Sequence, residues 1–167
     1  MRSTASWVAR YGVMVALAII LSYVELLFPI NFVVPGVLGL ANLVTIVGLY
    51  LVGERGTACV TFTRIILVYF LFGRTFGLMY SLFGGGVSFL LMVFAKRRGW
   101  FGTVGVSIIG GIGHNLGQII AASILVGSGF VFAYFPVLLA AGTAAGSAIG
   151  LLGGILISRT EKYIKNL

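Results

Sequence analysis

From Trp7 to Ile157 the chain is a succession of apolar runs, broken only by short clusters of glycine, proline and charge. A helix needs about 20 such residues to cross the roughly 30 Å hydrocarbon layer of a bilayer. Repeated runs of that length leave few folds open, because inside lipid every backbone N–H and C=O has to be bonded within the protein. Hydrophobic residues make up 60% of the chain and charged residues 8%, against roughly 45–50% and about 25% in soluble domains. So few charges cannot cover a water-soluble protein of 167 residues. The sequence predicts an all-α integral membrane protein, folded as a single domain over residues 1–167.

Six spans are expected, at 8–28, 36–53, 57–73, 75–95, 101–126 and 132–157. Breakers separate them. Pro29 and Pro35 flank a charge-free first loop, Glu54-Arg55-Gly56 makes a tight turn, and Gly73-Arg74-Thr75 makes another. Lys96-Arg97-Arg98-Gly99 closes the fourth helix, and Gly127-Ser128-Gly129 opens the fifth loop. Basic residues mark the cytoplasmic side of membrane proteins. With the N-terminus in the cytoplasm, Arg2, Arg10, Arg55, Lys96, Arg97, Arg98, Arg159, Lys162 and Lys165 all fall at that face. Both termini are therefore expected to be cytoplasmic, with residues 29–35 and 127–135 external, in a multi-pass protein of a prokaryotic plasma membrane. The N-terminal run has the makeup of a signal peptide, but Glu25-Leu26-Leu27-Phe28 continues it without a small-x-small cleavage site. It is expected to remain as the first helix.

The rarity of reactive groups excludes several chemistries. The acidic residues are Glu25, Glu54 and Glu161, with no aspartate, so an aspartate-rich magnesium–diphosphate site cannot be built. One cysteine, Cys59, and one histidine, His114, exclude an intramolecular disulfide and a Cys/His zinc cluster. There is no phosphate-binding Gly-rich loop ending in Lys-Ser/Thr, no Gly-x-Ser-x-Gly elbow and no His-Glu-x-x-His. No metal, cofactor or catalytic residue is expected. The net charge of +8 does not indicate nucleic acid, because the basic residues lie between apolar runs and not on one soluble face.

Polar groups at membrane depth are costly and are candidates for function. Glu25 falls near the outer end of the first helix, Asn42 in the outer half of the second, and Arg64 near the middle of the third, with Arg74 beyond its end. On the fifth helix His114 and Gln118 are four apart and share a face, beside Asn115. All lie between mid-membrane and the outer surface. They suit an outward-opening pocket for a ligand with carboxylate, phosphate or several carbonyl groups. Each has a plainer reading. Arg64 could pair with Glu25 or snorkel to water, and Arg74 could be a solvated loop charge. His114 could be a packing hydrogen bond between helices, and Glu25 a boundary marker. On the first helix Gly12 and Ala16, and Ala18 and Ser22, repeat the small-xxx-small spacing that admits a neighbouring helix, within the bundle or outside it.

The segments Pro35-Gly36-Val37-Leu38-Gly39-Leu40-Ala41-Asn42-Leu43-Val44-Thr45, the surroundings of Arg64, and Gly113-His114-Asn115-Leu116-Gly117-Gln118 resemble a known family. It is that of the substrate-binding S components of energy-coupling factor (ECF) transporters, in the Gx transporter subgroup often labelled heptaprenyl diphosphate synthase component I. The resemblance implies a small vitamin-like nutrient held near the outer face by Glu25, Asn42, Arg64, Arg74, His114, Asn115 and Gln118. It also implies a membrane coupling protein and two cytoplasmic ATPases as partners, the coupling protein meeting Gly12 and Ala16. The family's Ala-xxx-Ala is here Gly-xxx-Ala. A stand-alone ion-coupled transporter using Glu25 or His114 is the alternative, and a membrane enzyme the third reading. The ligand is not named by the residues.

Overall fold

A computed structural model describes residues 4–27, 38–72 and 75–165. Arg2, Arg74, Pro29, Pro35 and the expected external loop 29–35 lie outside the described residues. The described chain is helical. Its elements are α1 (Thr4–Leu27), α2 (Asn42–Leu51), α3 (Glu54–Phe72), α4 (Thr75–Arg98), α5 (Thr103–Val126), a 3-10 segment (Gly129–Tyr134) and α6 (Phe135–Lys165). Five helices are long and apolar enough to cross a membrane, and α2 is a shorter apolar helix.

The second expected span, 36–53, differs most. Among the described residues it is helical only over Asn42–Leu51, ten residues, which rise about 15 Å, half the hydrocarbon thickness. Residues 38–41 form a turn in which Gly39 takes a left-handed φ of +58°. The other ends follow local chemistry. Gly127 closes α5 in the left-handed conformation, its N–H bonded to Ser123 O. Pro136 sits in the first turn of α6, where a missing N–H leaves no helix bond unmade. The expected external loop 127–135 is largely the 3-10 segment, which runs directly into α6.

The centre of the bundle is α5, packed along its length against α4 on one side and α6 on the other. Glycine sets both distances. A Cβ on Gly117 would strike Phe83 O of α4, and one on Gly111 would strike Gly142 O of α6. Gly146 and Gly150 leave 2.7 and 2.8 Å between an added Cβ and the Cα atoms of Ile108 and Val104. Small residues let helices in lipid make dispersion contact backbone to backbone, where no hydrophobic effect drives them together. Opposite α5, α1 packs on α3, and α2 lies against α6 and α3.

Contacts fix the sense of each helix. Tyr11 near the start of α1 lies against Gly56 at the start of α3, so these two run in the same direction. Lys96 Nζ donates to Leu49 O at 2.5 Å, tying the C-terminal end of α4 to that of α2. Arg97 of α4 pairs with Glu54 at the first turn of α3, Nε donating to Oε1 at 2.9 Å and Nη2 to Oε2. Val104 faces Gly150, so the start of α5 joins the later part of α6 at this same basic end. The apolar side chains left on the outside, such as Leu90, Phe70 and Phe130 at 66%, 74% and 80% exposure, belong in lipid.

Candidate functional site

At the other end of the bundle the polar residues close into a ring. Arg64 on α3 is buried and donates from Nη1 to Ser22 Oγ of α1 at 3.0 Å. Three residues on, on the same face of α1, Glu25 accepts the backbone N–H of Gly39 at 2.5 Å and of Leu40 at 3.2 Å. The carboxylate therefore holds the turn that leads into α2. That turn brings Gly39 against Asn42 and His114, for a Cβ at Gly39 would lie 2.9 Å from Asn42 Nδ2 and 3.4 Å from His114 Cδ2. A side chain there would also strain the positive φ.

The ring is completed through α4, whose three consecutive glycines face different neighbours. At Gly84 an added Cβ would meet Gln118 Cγ at 2.9 Å and His114 Cε1 at 3.0 Å. At Gly85 it would meet Ile65 Cδ1 at 3.0 Å and Arg64 Nη2 at 3.6 Å. At Gly86 it would meet nothing within 4 Å. Gly84 thus admits the α5 side chains and Gly85 the α3 arginine, so Arg64 stands beside the seam that His114 and Gln118 line. Helix α1 supplies Ser22 and Glu25, α2 Asn42, α3 Arg64, and α5 His114 and Gln118.

Of the sequence-predicted residues, the structure brings Glu25, Asn42, Arg64, His114 and Gln118 together. Asn115 points elsewhere, its Nδ2 donating to Leu138 O of α6 at 2.7 Å in a fully buried contact. Neighbouring residues lie about 100° apart around a helix, so Asn115 cannot share the face of His114. Ser22, Gly39, Gly84 and Gly85 belong to the ring and were not among the expected site residues. The Gly84-Gly85-Gly86 triplet inside an apolar run was the signal that could have found the α4 contribution, since glycine in a helix interior is costly without a packing reason.

Chemically the ring is rich in donors. Asn42 Nδ2 and Thr61 Oγ1, one turn before Arg64, are buried with no hydrogen-bond partner among the described residues. Arg64 supplies a permanent cation, and the carboxylate nearby is already bonded to two N–H groups. Beside Ile65 a cavity of about 60 Å³ opens between α3 and α4, lined by Ile65, Val68, Tyr69, Phe72, Gly77, Leu78 and Ser81. It is walled mostly by apolar and aromatic groups. Among the described residues no group of three His, Cys, Asp or Glu side chains could hold a metal ion.

A bundle with an apolar exterior and, among the described residues, five helices long and apolar enough to cross a membrane defines a multi-pass membrane protein with polar side chains gathered inside it. A family model described as heptaprenyl diphosphate synthase component I matches residues 14–156, and the chain belongs to that family, the family of ECF S components. No curated protein and no solved structure matches the chain.

Proposed function

We propose that this chain is the substrate-capturing membrane subunit of an ATP-driven ECF-type importer. The observation that carries the reading is Arg64, buried in a ring of polar side chains drawn from four helices and seated beside the His114–Gln118 face of α5. A cation with amide and imidazole neighbours suits a small nutrient bearing a carboxylate, phosphate or several carbonyl oxygens. The basic end of the bundle is the cytoplasmic face in this reading, as the positive-inside rule requires, and the ligand enters from the opposite side. Energy comes from the partner ATPases through the coupling protein, which meets Gly12 and Ala16 on α1.

The alternative, an ion-coupled carrier, needs a carboxylate or imidazole free to exchange protons. Glu25 holds Gly39 and Leu40, a structural role that the importer reading accommodates. The experiment is native mass spectrometry of gently purified protein to identify a co-purifying small molecule, followed by calorimetric titration of Arg64→Ala. Loss of the charge-assisted contact should weaken binding by about 1–3 kcal/mol. Unchanged affinity with a lowered melting temperature would assign Arg64 to helix packing and end the proposal for this site.

A further inference from the structure

The basic end of α4 carries three consecutive cations with three different fates. Lys96 bonds Leu49 O and lies 4.8 Å from the centre of the Tyr50 ring. Arg97 is taken by Glu54. Among the described residues no carboxylate pairs with Arg98: Glu25 and Glu54 are committed elsewhere, and Glu161 sits on α6, whose backbone does not approach that of α4. What surrounds Arg98 is aromatic. Its guanidinium carbon lies 5.1 Å from the centre of Phe94 and 5.4 Å from that of Trp100. The two rings meet edge to face, centroids 6.0 Å apart, because the chain turns back at Gly99 with φ +65°.

Ring contacts of this kind hold a cation without using up its N–H donors, and a planar fork of donors matches the paired oxygens of a phosphate. Arg98 makes no hydrogen bond to a described residue. The surface leading away from it is apolar: Leu90, Phe94 and Arg98 are four residues apart on one face of α4, and Leu90 and Phe94 are 66% and 48% exposed. Trp100 and Phe101 are exposed beside it, where aromatic belts meet lipid headgroups. A positive head above an exposed hydrocarbon-facing track has the chemistry of one occupant.

We propose that Arg98, braced by Phe94 and Trp100, binds the phosphodiester of an anionic phospholipid whose acyl chain lies along Phe94 and Leu90. Zwitterionic lipids carry an ammonium group that the net positive charge at this end repels, so the site prefers a headgroup without one. The proposal is independent of the substrate and of which face of the membrane is cytoplasmic.

Trp100 is its own probe. In a Trp7→Phe background it is the remaining tryptophan, and its fluorescence is quenched by a brominated lipid that occupies the site. In phosphatidylcholine vesicles, brominated phosphatidylglycerol should associate about ten-fold more strongly than brominated phosphatidylcholine, the size of one charge-assisted contact. Arg98→Gln should remove most of that preference. Arg55→Gln, which deletes the same charge from an exposed position on α3 at the same end, should leave it within about two-fold, since a screened surface charge acts weakly. Equal quenching by the two lipids in the parent protein, or equal loss in both variants, would overturn the proposal in favour of a diffuse surface charge. Excess inorganic phosphate, against chloride of matched ionic strength, should not relieve the quenching; relief would show a free-anion site instead.

Discussion

At the scale of single residues, the glycines of α4 make the sharpest claim. Gly84 and Gly86 are two residues apart in one helix and pay the same propensity cost, yet only Gly84 faces the ring. Gly84→Ala should push His114 and Gln118 aside and destabilise the protein by about 1–3 kcal/mol, the usual result of overpacking. Gly86→Ala, with open space around it, should be neutral or slightly stabilising. Thermal unfolding in detergent checks both, and equal melting temperatures would show that the seam is loosely packed. Much of the site was legible at this scale: His114 and Gln118 share a face by spacing alone, and Arg64 stands out by its depth in an apolar run. The engagement of Glu25 with the Gly39 and Leu40 N–H groups was not legible, because it joins residues 14 and 15 apart through a turn that no periodicity encodes. Asn115 was grouped with His114 by adjacency, and the helical period separates them.

At the scale of elements, hydropathy marks where a segment is apolar, not where it is helical. It found α1, α3, α4, α5 and α6 within a few residues at most ends, though α6 continues to Lys165, beyond the expected 157. It failed at α2, where Gly39 turns the chain and Asn42 starts the helix, so that Leu38, Leu40 and Ala41 read as span but fold as turn. The glycine seam between α5 and α6 carries the next prediction. Gly146→Val would place a branched side chain against the backbone of Ile108, already 2.7 Å from a single added Cβ. Helix separation there should prevent stable folding. Gly154→Val, eight residues on with nothing within 4 Å, should express and melt like the parent. Size-exclusion profiles in detergent distinguish them, and a monodisperse Gly146→Val protein would refute close packing as the origin of the pairing.

At the scale of the whole molecule, the two small-residue pairs on α1 divide between inside and outside. Ala18 and Ser22 are buried against the bundle, Ser22 as the acceptor for Arg64. Gly12 and Ala16 are exposed, and a Cβ on Gly12 would touch nothing. The orientation proposed above puts this face within reach of a partner whose ATPases lie at the basic end. Cysteine probes in a Cys59→Ala background test that orientation: a probe beside Arg97 should label only after the membrane is permeabilised, and labelling from outside would reverse it.

Given that orientation, Gly12→Leu separates capture from transport. The leucine has space in the isolated chain, so the fold, the melting temperature and ligand affinity should stay close to those of the parent. A helix that approaches closely at small residues cannot do so over a leucine, so co-purification with the coupling protein should drop by about ten-fold or more, the effect of roughly 1.4 kcal/mol lost at an interface. Uptake in cells should fall with it, as it should when the coupling protein or its ATPases are deleted. Uptake by Gly12→Leu at the parent rate would remove α1 from the interface, and uptake by the chain alone in proteoliposomes under a proton gradient would replace the importer with the ion-coupled carrier.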